Sequence, residues 1–94
     1  MSTASRQVVV YNERGLHARP AMEFVETANK FKAAVSVEKS GDEPMKVDGK
    51  SIMEMITLAA VQGTNLVILA DGEDAEAAVT QLADLFEGRF RDEK

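Results

Sequence analysis

The apolar positions change their period repeatedly along the chain, and each change marks an element. Arg6 to Tyr11 carries the β-branched run Val8-Val9-Val10, which predicts a first strand. Asn12 to Gly15 reads as a loop, and beyond it Ala21, Phe24, Val25, Ala28 and Phe31 recur at helical spacing, so a helix is expected from His17 to about Lys30. Lys32 to Lys39 alternates, with Ala33, Val35 and Val37 on one side and Ser36 and Glu38 on the other, the pattern of a strand with one wet face. Ser40-Gly41-Asp42-Glu43-Pro44 is a turn, and Met45 to Asp48 is the short return strand of a hairpin. A second helix begins at Ser51, with Ile52, Met55, Ile56 and Ala59 on one stripe and Gly63 as its expected C′ residue. Asn65 to Ala70 is strongly apolar and is expected to lie centrally in the sheet. Asp71-Gly72 then turns the chain into a helix over Asp74 to Glu87, with Ala75, Ala78, Val79, Leu82 and Phe86 facing inward.

The order β-α-β-β-α-β-α implies an α+β fold in which one sheet is covered on one face by helices. The hairpin and the wet-faced second strand favour antiparallel pairing over a doubly wound parallel sheet. Pattern alone leaves the strand order open, and a ferredoxin-like arrangement satisfies the same string. No repeat, low-complexity tract or linker divides the 94 residues, so a single domain is expected over 1–94, with its core at about 6–88.

Composition narrows the function classes. The 45% hydrophobic and 29% charged fractions suit a soluble globular chain, with no apolar run long enough to span a bilayer and an N-terminus too polar for a secretory signal. The cytoplasm is the expected location, without membrane insertion. With no cysteine and one histidine, disulfides and thiol chemistry are excluded and a metal site is not expected. A formal charge of −5 argues against nucleic acid as a partner. Arg14, His17, Arg19, Lys46 and Lys50 nevertheless fall near two segments singled out below, which raises the expectation of a locally positive working face, while Glu73 to Glu76 and the tail carry much of the acid.

The first segment is Gly15-Leu16-His17-Ala18-Arg19-Pro20-Ala21, which places the single histidine where an extended run gives way to a helix. Pro20 lies in the first helical turn, where a missing N–H costs nothing. The amides of Ala18 and Arg19 are then outside the intrahelical ladder, with the positive end of the macrodipole behind them, which makes a seat for phosphate. Arg19 adds a planar donor that can fork onto phosphoryl oxygens. Nucleophile, anion seat and charge partner converge on a histidine that accepts a phosphoryl group. The bland alternative is a helix cap or a solvated surface side chain.

These seven residues resemble the active-site signature of the HPr family, the histidine-containing phosphocarriers of the bacterial phosphoenolpyruvate-dependent phosphotransferase system. The resemblance runs from about Gln7 to Phe86. It implies an open-faced sandwich of four antiparallel strands in the order 1-4-2-3 under three helices. It further implies a monomeric relay protein without cofactor or turnover of its own, which takes a phosphoryl group onto Nδ1 of His17 from enzyme I and passes it to an EIIA-type acceptor. Arg19 and the Ala18 and Arg19 amides are the expected phosphate ligands.

The second segment, Asp48-Gly49-Lys50-Ser51, ends in Gly-Lys-Ser but is no nucleotide-binding loop, because the glycine required five positions before Gly49 is Pro44. Ser51 and Glu54 match a capping box, with the serine hydroxyl on the N3 amide and the glutamate on the cap amide. Lys50-Ser51-Ile52-Met53 also resembles the second HPr hallmark, the serine that HPr kinase/phosphorylase modifies in some lineages, so Ser51 is a candidate regulatory phosphorylation site. Met22, Ile52, Met53 and Ile56 are the candidate docking residues, Met53 being off the buried stripe and adaptable. Glu26, Asn29 and Glu54 stand where sugar-system members of the family often carry basic residues, and the turn around Gly41 to Pro44 is longer than in many members. A regulatory HPr of an incomplete or nitrogen-type system is the alternative within the family, and a non-catalytic interaction domain the alternative outside it.

Overall fold

The computed structural model describes residues 2–41, 44–88 and 90. The chain runs β1 (Thr3–Val9), α1 (Ala18–Ala28), β2 (Ala34–Lys39), β3 (Met45–Asp48), α2 (Ile52–Thr57), β4 (Asn65–Asp71) and α3 (Ala75–Glu87). The four strands form one sheet in the order β1-β4-β2-β3, and every neighbouring pair is antiparallel. The order left open by the hydrophobic pattern is thus the one implied by the family resemblance. β4 is central, as its composition predicts: Leu66, Ile68 and Ala70 face the helices while Val67 and Leu69 are half-buried on the other side. Asp42 and Glu43 of the predicted hairpin turn lie outside the described residues, as do the four residues 91–94 of the tail.

The core forms where Val8, Val35, Val37, Val47, Leu66 and Ile68 of the sheet meet one apolar stripe from each helix. From α1 come Ala21, Phe24 and Ala28, from α2 Met55, and from α3 all five residues whose spacing predicted an inward face, joined by Ala83. Phe86 sits edge-on to Phe24 at 6.0 Å and to Phe90 at 5.0 Å between ring centroids. Such pairs contribute about 0.5–1.5 kcal/mol each beyond area burial. Phe90, beyond the end of α3, is fully buried and joins this core.

The second helix departs most from expectation. It ends at Thr57 and not before Gly63. Leu58 closes it, Ala59 swings to φ +51°, and Leu58 and Ala60 are both buried. Continued helix would carry Ala60 away from the loop before α1, whose Leu16 amide its carbonyl accepts at 2.8 Å. Tertiary pairing therefore overrides the local helical pattern. Of its predicted stripe only Met55 is fully buried, while Ile52 is half-buried and Ile56 and Ala59 are exposed.

The third helix start ties two elements together. The Asp74 carboxylate takes the amide of Lys32 on Oδ2 and that of Ala33 on Oδ1, both at 2.9 Å, which pins the start of β2 to α3. These donors, Lys32 first and Ala33 next, hold the Asp74 carboxyl below its usual range.

Candidate functional site

The loop that carries His17 is built from backbone hydrogen bonds on both sides. After β1, Val10 donates to Thr64 O at 3.0 Å and accepts from Gly63 N at 2.7 Å, so the exit of β1 is tied to the entry of β4. Gly15 N donates to Asn12 O at 3.0 Å, and Asn12 Nδ2 returns a bond to Gly15 O at 2.6 Å. The same Gly15 carbonyl takes His17 N at 3.0 Å, while Leu16 N reaches Ala60 O at 2.8 Å. Gly15 has φ +68°, and a Cβ there would lie 2.4 Å from Ala60 O, so only glycine fits both the turn and the neighbouring backbone.

His17 is the N-cap of α1, in extended conformation, and its side chain makes no cap hydrogen bond. Its carbonyl receives the first intrahelical bond, from Ala21 N at 3.0 Å. Because Pro20 has no N–H, the donors left at this helix start are the amides of Ala18 and Arg19, and among the described residues no acceptor takes them. The first turn contains no acidic side chain. Arg19 is exposed, whereas the His17 ring is half-buried with Nε2 enclosed. The fold thus sets the imidazole and the two amides at one helix start, with the Arg19 side chain exposed in the same turn.

The turn before α2 is built differently. Ser51 Oγ accepts from Glu54 N at 3.3 Å, so half of the expected capping box forms. The other half does not: Glu54 Oε1 accepts from Asp48 N at 3.0 Å, because Ser51 N already donates to Asp48 O at 3.2 Å. Asp48 Oδ1 takes Lys50 N at 2.9 Å, and Gly49 N donates to Val35 O at 2.8 Å.

The locally positive face does not assemble as expected. Lys46 lies on the solvated side of the sheet beside Ser5, Ser36 and Leu69, away from the helices. Lys50 turns its ammonium to the Phe31 carbonyl at 2.7 Å, which satisfies that C=O at the end of the α1–β2 connection. Arg14 and Arg19 remain exposed beside the site. Of the expected docking residues, Met22, Met53 and Ile56 are 53%, 73% and 43% exposed on two helices that pack together, but Ile52 is half-buried against the core. Val61, 66% exposed just beyond Ala60, is a further exposed apolar side chain that was not predicted.

Sequence reasoning also missed Asn12 and Ala60 as parts of the loop. Asn12 carries a usable signal, since Asn directly after a β-branched run and three residues before Gly suits a side-chain-closed turn. Ala60 carries none, because its contribution is a main-chain carbonyl.

Among the described residues no helix is long and apolar enough to cross a membrane, and no group of three or more His, Cys, Asp or Glu could hold a metal ion. Residues 4–88 match the family model described as PTS HPr component phosphorylation site. The phosphocarrier protein HPr of Xylella fastidiosa is 40% identical over 87 residues, covering 93% of this chain and 94% of its own. The HPr-like protein Crh of Bacillus subtilis is 44% identical over 78 residues, which cover 83% of this chain and 88% of Crh. The crystal structure of HPr from Thermoanaerobacter tengcongensis superposes with a TM-score of 0.84 at 40% identity, covering 97% of this chain and 99% of that one. The chain belongs to the HPr family of phosphocarrier proteins of the phosphotransferase system.

Proposed function

We propose that this protein carries a phosphoryl group on Nδ1 of His17, received from phosphorylated enzyme I and passed to an EIIA-type acceptor. The observation that carries the reading is the start of α1, where the amides of Ala18 and Arg19 have no acceptor among the described residues and the first turn holds no acid. Enclosure of Nε2 disfavours attack from that nitrogen and supports Nδ1. In the transfer, the Nδ1 lone pair forms the new bond to phosphorus as the donor's bond breaks, and the two amides and Arg19 receive the phosphoryl oxygens. The chain supplies position and electrostatics, and its partner completes the transfer site. Exposed Met22, Met53 and Ile56, with Ile52 behind them, form the docking surface for both partners. The protein works as a monomer in the cytoplasm, a relay component and not a free-standing catalyst.

Incubation with enzyme I and labelled phosphoenolpyruvate tests this directly. One acid-labile, alkali-stable phosphoryl group per chain is expected, and His17→Ala is expected to accept none while keeping its fold. Undiminished labelling of that variant excludes His17 as the acceptor.

The likeness to Crh supports a second, regulatory role through Ser51 and an HPr kinase/phosphorylase, since a solved structure of that protein, 41% identical to this chain, is described as a catabolite repression protein. Recovery of phosphoserine at Ser51 from the protein's own cells tests that role.

A further inference from the structure

The geometry points to Asn12 as a positioning residue for the His17 site, an inference that rests on the phosphocarrier reading above. Asn12 is the only buried polar side chain among the described residues, 4% exposed. Burying an amide is unfavourable unless it is paired, so an apolar residue would serve stability alone better at this place.

Its pairing explains why an amide stands there. Asn12 Nδ2 donates to the Gly15 carbonyl at 2.6 Å, and the adjoining Leu16 N–H donates to the Ala60 carbonyl at 2.8 Å. A single peptide unit, Gly15 to Leu16, is therefore gripped at its C=O from the β1 side and at its N–H from the α2–β4 loop. That unit immediately precedes His17, whose own amide shares the Gly15 carbonyl at 3.0 Å. Gly15, at φ +68°, has no Cβ to restrain rotation of the unit, so the two hydrogen bonds must do so. Loss of the Nδ2 donor leaves the Gly15 carbonyl bonded only to the His17 amide, which moves with the same segment. The peptide can then rock, and the imidazole and the Ala18 and Arg19 amides shift together relative to an incoming phosphoryl group. Asn12 acts on the reaction through this backbone and touches no phosphate.

The test uses Asn12→Asp, which keeps the shape and removes the donor, and Asn12→Ser, which shortens the reach. Each variant serves as substrate of phosphorylated enzyme I at a temperature where circular dichroism finds it folded. The maximal transfer rate is expected to fall about tenfold, since small misplacements of reacting groups have large rate effects. The KM for the carrier should stay within about twofold, because the docking side chains are unchanged. The His17 ring-proton resonances of the unphosphorylated variants should shift or broaden relative to wild type. If Asn12→Asp does not fold, Asn12→Ser carries the same measurements. A folded variant with the wild-type maximal rate overturns the proposal, as does a rate loss equal to the unfolded fraction. Should enzyme I fail to label even the wild type, the phosphocarrier reading falls by itself; unchanged His17 resonances in a folded variant overturn the positioning role independently.

Discussion

The chain enters α1 and α2 through two turns that look alike in sequence, each a glycine followed two residues later by the helix cap, yet they use their caps in opposite ways. Both helices leave their first two amides outside the intrahelical ladder, and they differ at the third position. In α2 the third residue is Glu54, whose amide needs an acceptor, and the Ser51 hydroxyl supplies it. In α1 the third residue is Pro20, which has no N–H, so the donor that Ser51 satisfies in α2 is missing from α1. The proline thus relieves His17 of the structural task that occupies Ser51. Charge follows the same division: α2 carries Glu54 in its first turn and α1 carries no acid there. Only one of the two starts is suited to receive an anion without rearrangement.

The two glycines give the largest expected effects and separate the turns by what is lost. Gly15→Ala forces a non-glycine residue to φ +68° and drives its Cβ against the Ala60 backbone, at a cost of about 1–3 kcal/mol or more. Gly49→Ala meets side chains instead, Val35 Cγ1 at 2.7 Å and Phe24 Cε1 at 3.1 Å, an overpacking that costs about 1–3 kcal/mol. Urea melts should register both losses. Phosphorylation of the folded fraction should slow for Gly15→Ala only, and an equal slowing of Gly49→Ala would erase the distinction between a reactive and a structural turn.

Arg19→Lys probes the reactive turn more gently. The charge stays and the fork is lost, so transfer from enzyme I should slow about tenfold, equivalent to ~1.4 kcal/mol, with no change in melting temperature. A rate equal to wild type reduces Arg19 to surface charge.

α3 supplies a third outcome for a helix start, because its cap residue Asp74 gives its side chain to another element. Its carboxyl is lowered by the Lys32 and then the Ala33 amide, so folding favours the ionised form. The resulting stability is present above the ordinary carboxyl value, near pH 4, and is lost as pH falls through the lower folded value. Asp74→Asn should therefore melt below wild type at pH 7, with a gap that narrows on acidification below about pH 4. A pH-independent gap would show that shape alone matters at this position.

Much of this architecture was legible because it rests on periodicity. Val35 and Val37, or Ala78, Val79, Leu82 and Phe86, announce their faces by spacing alone, and all of them are buried. His17 and Arg19 were legible for a different reason: chemistry and helix-start signals coincide in one short segment. The failures share a physical cause. The early end of α2, the diversion of Glu54 to Asp48 N, the capture of Lys50 by Phe31 O and the clamp by Ala60 all involve main-chain groups outside the local helical pattern. A backbone carbonyl has no residue type, so nothing in the string records where it will be needed.

Ser51 gives the smallest stability effect and the sharpest division between cap and switch. Its hydroxyl accepts from Glu54 N at 3.3 Å, a long bond at the start of a six-residue helix, so Ser51→Ala should lose stability near the lower end of the usual ~0.5–2 kcal/mol for a cap. His17 labelling by enzyme I should be unchanged in that variant, since no hydrogen bond of the reactive loop passes through Ser51. Phosphorylation asks a different question of the same atom. It adds about −1.5 to −2 charges at a helix start, which alone favours the helix. The new charge stands close in sequence to Asp48 and Glu54, each already engaged by a backbone amide, and two residues from Met53, the most exposed apolar side chain of the proposed docking surface. A partner that covers Met53 must desolvate that charge against carboxylates of the same sign, so binding weakens while the fold does not. Phosphoserine at this position, and Ser51→Asp as a weaker mimic, should raise the KM of enzyme I for the carrier and leave the maximal rate near wild type. Melting curves on the same samples should move up for phosphoserine and down for Ser51→Ala. If phosphoserine is labelled at His17 as readily as wild type, the difference between the two turns is one of capping alone.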